Sequence, residues 1–518
     1  MELEKDQDDE INMRVHVPTA SAAAVPFRLC GSVRLCLAFV CFLAAGNMMA
    51  QRVNISVALV CMLNHTAISY DNAHHEQFGD LDVTNVSDRC HPRNAMKTSN
   101  IAKHNDGPFT WSKHEQGIVL GSFFWGYLLT GMIGGHLSDR HGGKRVYFYC
   151  NLLASLATTL CAPAALLHDV AFVACRIAVG VFTAATLPAI FALWSNWAPP
   201  LERTILLGIT LAGSQIGIVA TMPLAAVLCD WAGWQMVFYS FGGFSLTVTI
   251  FWHFVVTDRP DQARFMSRPE LKYIRTSMVH RKTEHAGSKK KVRVPWRHIC
   301  TSLPVWAILV AHTCCNWAMY LMLTTLPSYM HEVLHFDIKS NGLLSALPYV
   351  ALFVTGQVTS ISVDRLRQAG VRTALVRKVC NTCGFLGQAA FLMLAAHCSC
   401  EHSTLAVALF VLAMASHGLV TGGFVMNHGD IAPRLAGSLF GFTNTAATLP
   451  GILAPYMATA MTEQGTAEQW RHVFWLCTGI LTFGALFFAV FATDRVQDWA
   501  SEEQNEEKED KCEEQLTD

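Results

Sequence analysis

Residues 121–145 read GSFFWGYLLTGMIGGHLSDRHGGKR. The first half is apolar and rich in Gly and aromatic residues. The second half breaks into a short charged turn, Gly135-x3-Asp139-Arg140-x-Gly142-x-Lys144, and a further apolar run follows. Two apolar runs joined by a short charged turn read as two antiparallel helices that cross a bilayer, with the turn on one side of it.

Outward from this hairpin the same pattern repeats. The chain has 518 residues, of which 52% are hydrophobic and 15% charged, against about a quarter charged in soluble domains. About twelve apolar runs of bilayer-crossing length are present. Six lie near 35–63, 115–137, 144–167, 170–193, 204–228 and 235–256. Six more lie near 302–330, 340–362, 374–396, 404–427, 435–461 and 471–493. The expected fold is an all-α membrane protein of twelve transmembrane helices in two pseudo-symmetric six-helix halves. The expected organisation is a tail (1–34), a first bundle (35–256) with a polar loop at 64–112, a basic linker (257–300), a second bundle (301–493) and an acidic tail (494–518). The 18 cysteines lie mostly in apolar runs and read as small apolar residues, with no disulfide scaffold or zinc site. Cys90, Cys398 and Cys400 share one side of the membrane, so Cys90 and either of the others form a candidate pair.

Lys and Arg set the orientation. Arg140, Lys144 and Arg145 occupy the loop between spans 2 and 3. The linker holds many more, and Arg365, Arg367, Arg372, Arg377 and Lys378 lie between spans 8 and 9. The loops between spans 3 and 4, 5 and 6, and 9 and 10 have essentially none. The positive-inside rule places both termini and the linker in the cytoplasm. Two glycosylation acceptors, Asn64-His65-Thr66 and Asn85-Val86-Ser87, put the 64–112 loop on the other side.

Ionisable groups inside spans are costly and mark function. Arg52 lies roughly 27 Å along the first helix from Arg34 at about 1.5 Å per residue. Arg176 lies about two turns into span 4. Both fall in the outer half, where two guanidinium groups can meet one anion. In span 7, His312, Asn316 and Tyr320 are spaced by four and share a face. Tyr127 in span 2 is a further contact for a ligand. His428 and Asp430 end span 10 and, with His312, form a candidate proton relay. Gly135, Asp139, Arg140, Gly142 and Lys144, with the looser echo Asp364-Arg365 and the pair Glu202-Arg203, form a candidate inner gate. Asp364-Arg365 is expected to contact Glu202-Arg203. No metal or nucleophile constellation is present: His331, Glu332 and His335 lack HExxH spacing. The chain therefore reads as no enzyme, with no cofactor and no nucleic-acid partner.

The turn at Gly135–Lys144 resembles the loop between the second and third helices of the major facilitator superfamily. Five segments, Arg52-Val-Asn-Ile-Ser-Val-Ala, Gly121-Ser-Phe-Phe-Trp-Gly-Tyr127, Trp197-Ala-Pro-Pro-Leu-Glu-Arg203, Asn316-Trp317 with Tyr320, and Asn427-His-Gly-Asp-Ile-Ala-Pro433, together resemble its anion/cation symporter branch. That branch includes sialins, vesicular glutamate transporters and sodium-phosphate cotransporters. The resemblance implies that Arg52 and Arg176 help bind an anion. Leu120 stands where vesicular glutamate transporters carry His, and Cys315 where they carry Arg, which tilts the likeness toward sialin-like or phosphate-transporter-like members. Sialin-like members carry Glu, associated with proton coupling, where this chain has Val179 and Thr183. The expected activity is secondary active transport of a small organic anion, coupled to a proton or sodium gradient, by a monomer in the plasma membrane or a lysosomal or vesicular membrane. The alternatives are a sodium-dependent phosphate cotransporter on the same fold and a non-transporting receptor.

Overall fold

A chain that is apolar on every side satisfies its backbone polar groups in lipid only by coiling into helices. The computed structural model describes residues 29, 31–68, 107–199, 202–286, 294–398, 400–433 and 435–500, with all their side chains except those of Met132, Asp139, Thr204 and 278–286. Among these residues there is no β-strand; a single bridge between Leu63 and Phe109 joins the two ends of the 64–112 loop. The first half comprises span 1 (Val33–Met62), span 2 (Lys113–His141), span 3 (Gly143–Leu167), span 4 (Asp169–Thr183 continued by Thr186–Trp197), span 5 (Arg203–Ala232) and span 6 (Trp234–Val255). The second comprises span 7 (Leu303–Glu332), span 8 (Ile338–Gln368), span 9 (Thr373–Ala395), span 10 (Ser403–Gly418 and Phe424–Ile431), span 11 (Ala436–Ala446 and Leu449–Met461) and span 12 (Ala467–Phe491). Eight of the twelve are individually long and apolar enough to cross a membrane. Span 11 falls short because it breaks at Ala447 and Thr448. Gly, aromatic and polar residues dilute spans 2, 6 and 9. A helix, Arg268–Ala286, and a short one, Trp296–Thr301, lie between the halves.

The two halves repeat a contact in detail. Thr257-Asp258-Arg259 follows span 6, and Thr493-Asp494-Arg495 follows span 12. Asp258 Oδ1 accepts from Lys144 N (2.8 Å) at the start of span 3, and Asp494 Oδ2 accepts from Ala374 N (2.9 Å) at the start of span 9. Each carboxylate meets the positive end of a helix dipole. Trp197 Nε1 and Asn427 Nδ2 donate to the carbonyls of Thr257 and Thr493, at 2.9 and 2.8 Å. Gly142 turns the chain at φ 88°, and a Cβ there would lie 2.9 Å from the Asp258 carboxylate.

The halves are tied together at the face that carries the 64–112 loop. Lys113 at the start of span 2 pairs with Glu332 at the end of span 7, and Glu332 Oε2 also accepts from Trp470 Nε1 at 3.1 Å. Lys339 Nζ reaches Asp230 Oδ2 at 2.7 Å. The rings of His65 and His331 lie 4.1 Å apart. Both of these ion pairs cross between the halves. Next to them, Cys61 and Cys229 form a disulfide between the ends of spans 1 and 5. The apolar reading of the cysteines missed this bond. Cys398 is a free thiol and Cys400 is disulfide-bonded; Cys90 lies outside the described residues.

Candidate functional site

The stretch at 121–127 supplies one wall of the central site. Spans 2 and 4 touch through glycines: a Cβ on Gly180 would lie 1.9 Å from the Phe123 carbonyl oxygen. This contact brings Phe123, Phe124 and Tyr127 onto Arg52 of span 1. The Arg52 guanidinium carbon lies 4.5 Å from the centre of the Phe124 ring, 5.4 Å from Phe123 and 5.5 Å from Tyr127. Tyr320 of span 7 closes the other side at 4.6 Å. Phe124 and Tyr320 also pack on each other across the two halves, with ring centres 4.7 Å apart. Rings stabilise a cation through their faces and leave its N–H edge available. Arg52 is only 8% exposed, and its Nε and Nη2 have no hydrogen-bond partner among the described residues. These two N–H groups form one edge of the guanidinium, the geometry that grips a carboxylate with two bonds.

Arg176 stands behind Arg52, fully buried. Its Nη1 donates to the Gln51 carbonyl (3.1 Å) and Asn54 Oδ1 (3.3 Å), and its Nη2 to the Arg52 carbonyl (3.4 Å). The two arginines thus meet at one turn of span 1. Gln51 is itself held from behind: its Nε2 donates to Asn151 Oδ1 (3.2 Å) and Ser245 Oγ (2.5 Å), and its Oε1 accepts from Thr158 Oγ1 (3.3 Å). Nothing in the spacing of the sequence announced this network across spans 1, 3 and 6. In span 4, Val179 is buried and Thr183 donates to its carbonyl at 2.6 Å, so neither position offers Arg176 a carboxylate.

The second half contributes two polar groups. Asn316 Nδ2 donates to the Ala447 carbonyl (2.7 Å), at the break in span 11, and lies 3.4 Å from the Tyr320 hydroxyl. His312 turns away from this pair. Its Nδ1 lies 3.2 Å from Thr443 Oγ1, and His428 Nε2 reaches the same hydroxyl at 2.8 Å. Asp430 is not part of that group: it pairs with Arg377 at 2.8 Å, and Arg377 also donates to the Gly422 carbonyl. A third buried imidazole, His417, bridges Gln388 Oε1 (2.9 Å) and Cys315 Sγ (3.4 Å); a lone His in an apolar helix gave no sign of it.

The residues read as an inner gate fall into separate groups. Glu202 does not face Asp364-Arg365, which are exposed. It pairs instead with Arg34 and lies 3.3 Å from the Tyr273 hydroxyl. Arg34 Nε donates to Glu270 Oε1 at 3.0 Å, and Glu270 also accepts from the backbone N–H groups of Val33 and Arg34. Both partners of Glu202 belong to the first half or to the helix that follows it, which is why the expected contact with span 8 does not form. Burial first, and then the Glu202 carboxylate, raise the Tyr273 phenol above its ordinary value. Lys144 and Gly142 sit at the Asp258 cap, Arg140 is exposed, and a Cβ on Gly135 would meet nothing. The backbone of Asp139 is helical, and its side chain lies outside the described ones; Arg203 starts span 5. Asn64 Oδ1 accepts from Ala67 N at 2.9 Å, and Asn85 lies outside the described residues.

Comparison with known proteins agrees with this architecture. Residues 36–455 match the family model described as Major Facilitator Superfamily. Sialin of Ovis aries is 38% identical over 480 residues, covering 92% of each chain. Vesicular glutamate transporter 1 of Xenopus laevis is 38% identical over 406 residues, covering 78% of this chain and 69% of that one. In fold, the chain is similar to a bacterial homologue of the human lysosomal transporter Spinster in an inward-facing, occupied conformation (TM-score 0.63, 15% identity, covering 90% and 99%). It is also similar to a D-xylose–proton symporter (TM-score 0.62, 14% identity, 90% and 100%). The chain is an integral membrane transporter, not an enzyme, and belongs to the major facilitator superfamily, in the anion/cation symporter branch that holds the sialins and vesicular glutamate transporters.

Proposed function

We propose that this chain carries a small organic anion with a carboxylate, of the sialic acid type, by alternating access between its two six-helix halves. The observation that carries the reading is Arg52: a buried permanent cation, walled by four aromatic rings from both halves, with one two-donor edge left unpartnered. A buried charge of this kind is retained where an anion completes it. Tyr127, Tyr320 and Asn316 line the remainder of the site. Because Phe124 and Tyr320 come from opposite halves, an anion at Arg52 lies on the surface along which the halves separate.

The coupling ion in this reading is the proton. Span 4 carries no carboxylate after Arg176 to take one, and the arrangement that supports a proton route is His312 and His428 on the single hydroxyl of Thr443. The termini and the 257–300 linker face the cytoplasm, as the Lys and Arg distribution supports. The Cys61–Cys229 bond favours an oxidising compartment at the opposite face, which suits glycans on Asn64 and Asn85. Transport works in the monomer, since one chain supplies the whole site.

Uptake of N-acetylneuraminate into proteoliposomes under separately imposed pH, sodium and voltage gradients tests this reading. Uptake driven by the pH gradient is expected. Uptake of inorganic phosphate driven by sodium alone, without uptake of the carboxylate, overturns it.

A further inference from the structure

The two central arginines are not equivalent. Arg52 keeps Nε and Nη2 unpartnered, which together make one bidentate edge. In Arg176 the only buried unpartnered nitrogen is Nε. Its Nη1 and Nη2 point back at span 1, onto two main-chain carbonyls and the Asn54 amide oxygen. Those carbonyls already accept the helix's own N–H groups four residues on, so the guanidinium uses their second lone pairs. The acceptors sit at 51, 52 and 54, one turn with Arg52 within it. Asn54 and Arg176 are both fully buried. On the far side, Gln51 is fixed by Asn151, Ser245 and Thr158.

We infer that Arg176 is a positioning residue that clamps the Gln51–Asn54 turn and so aims the free edge of Arg52 at the substrate's anionic group. This rests on the anion site proposed above. Arg176 commits three hydrogen bonds to span 1, and turning those Nη groups toward a carboxylate would release the turn they hold. It contributes a fixed positive charge close behind the turn, which favours the anion without touching it. Asn54 shares the role, because its amide oxygen is the one side-chain acceptor that Arg176 uses. Asn54 Nδ2 is itself unpartnered, which leaves Arg176 as the reason for this side chain's placement.

The test is a double-mutant cycle with N-acetylneuraminate as probe. Binding to purified protein in nanodiscs and uptake into proteoliposomes are measured for Asn54→Ala, Arg176→Gln and the double variant, with the melting temperature of each as the control for folding. Asn54→Ala is expected to weaken binding about threefold to tenfold, and the double variant to bind no more weakly than Arg176→Gln alone within about twofold. Were Arg176 a direct ligand, Asn54→Ala would release a donor toward the anion: unchanged or tighter binding, with independent effects in the double variant, overturns the inference. A lower melting temperature with unchanged affinity in both single variants also overturns it, since that is what a purely structural bond would give. If wild-type protein does not bind the probe, the transport reading fails by itself. The clamp is then read from phenylglyoxal modification of Arg52, mapped by mass spectrometry. Its rate is expected to change at least threefold in Arg176→Gln and Asn54→Ala alike, and an unchanged rate overturns the clamp.

Discussion

Lys339 Nζ lies 2.7 Å from Asp230 Oδ2, and this pair joins the first residues of span 8 to the last turn of span 5 across the two halves. Lys113 and Glu332 do the same for spans 2 and 7. Alternating access requires that such ties break when this face opens. The Lys339–Asp230 pair is exposed and individually weak, the Lys113–Glu332 pair is largely buried, and both act by shifting a population. In the combined Lys113→Ala, Lys339→Ala variant, the fraction open at this face is expected to rise roughly threefold to fivefold. Spin-label distances between the outer ends of spans 2 and 11 report that fraction; an unchanged distance distribution contradicts the gate.

Arg34, Glu202 and Glu270 form a buried cluster that fastens the helix after span 6 to the start of span 1. Arg34→Ala leaves two buried carboxylates facing each other. Removing one partner of a buried pair costs about 3–5 kcal/mol. The variant is expected to melt markedly lower and to show faster hydrogen exchange in 268–277. Arg34→Met with unaltered melting and exchange contradicts a structural role for the cluster.

Gly180 lies where the Phe123 carbonyl oxygen comes closest to span 4. A methyl group there has no room, and overpacking of this kind costs about 1–3 kcal/mol. Gly180→Ala is expected to push span 2 from span 4, moving the rings off Arg52. Loss of N-acetylneuraminate binding with the protein still folded is the expected result. Gly243→Ala is the control, because a Cβ on Gly243 meets nothing.

The Thr443 hydroxyl is shared by His312 and His428. Thr443→Val keeps the shape and removes the bridge. Uptake driven by an imposed pH gradient is expected to fall at least fivefold, with binding at fixed pH retained; Thr443→Ser restores it. Equal loss in both variants, or loss of binding, assigns Thr443 to packing instead.

Much of this organisation was legible in the chain. Apolar run length gave the spans, since lipid admits few alternatives to a helix. Counting residues along spans 1 and 4 brought Arg52 and Arg176 to a similar depth, and the structure joins them through the Arg52 carbonyl at 3.4 Å. What each guanidinium does was not legible, because it depends on rotamers and on acceptors in other spans. The Arg34 cluster escaped for a related reason. A basic residue at the edge of a span reads as an interfacial anchor, whereas its partners Glu202 and Glu270 lie 168 and 236 residues away. Cys61 and Cys229, 168 residues apart, were likewise hidden in apolar runs. The clearest internal repeat, Thr-Asp-Arg at 257 and 493, sits outside the spans, where apolar periodicity gives no guide.

The account turns on Arg52 as the residue that holds the anion. Binding of N-acetylneuraminate to purified Arg52→Gln, Arg52→Lys and wild-type protein measures this most directly. Arg52→Gln is expected to lose at least about tenfold in affinity, since a charge-assisted bidentate contact exceeds 1.4 kcal/mol. Arg52→Lys, which keeps the charge and loses the two-donor edge, is expected to fall between. Wild-type affinity in Arg52→Gln, with the fold intact, contradicts the account.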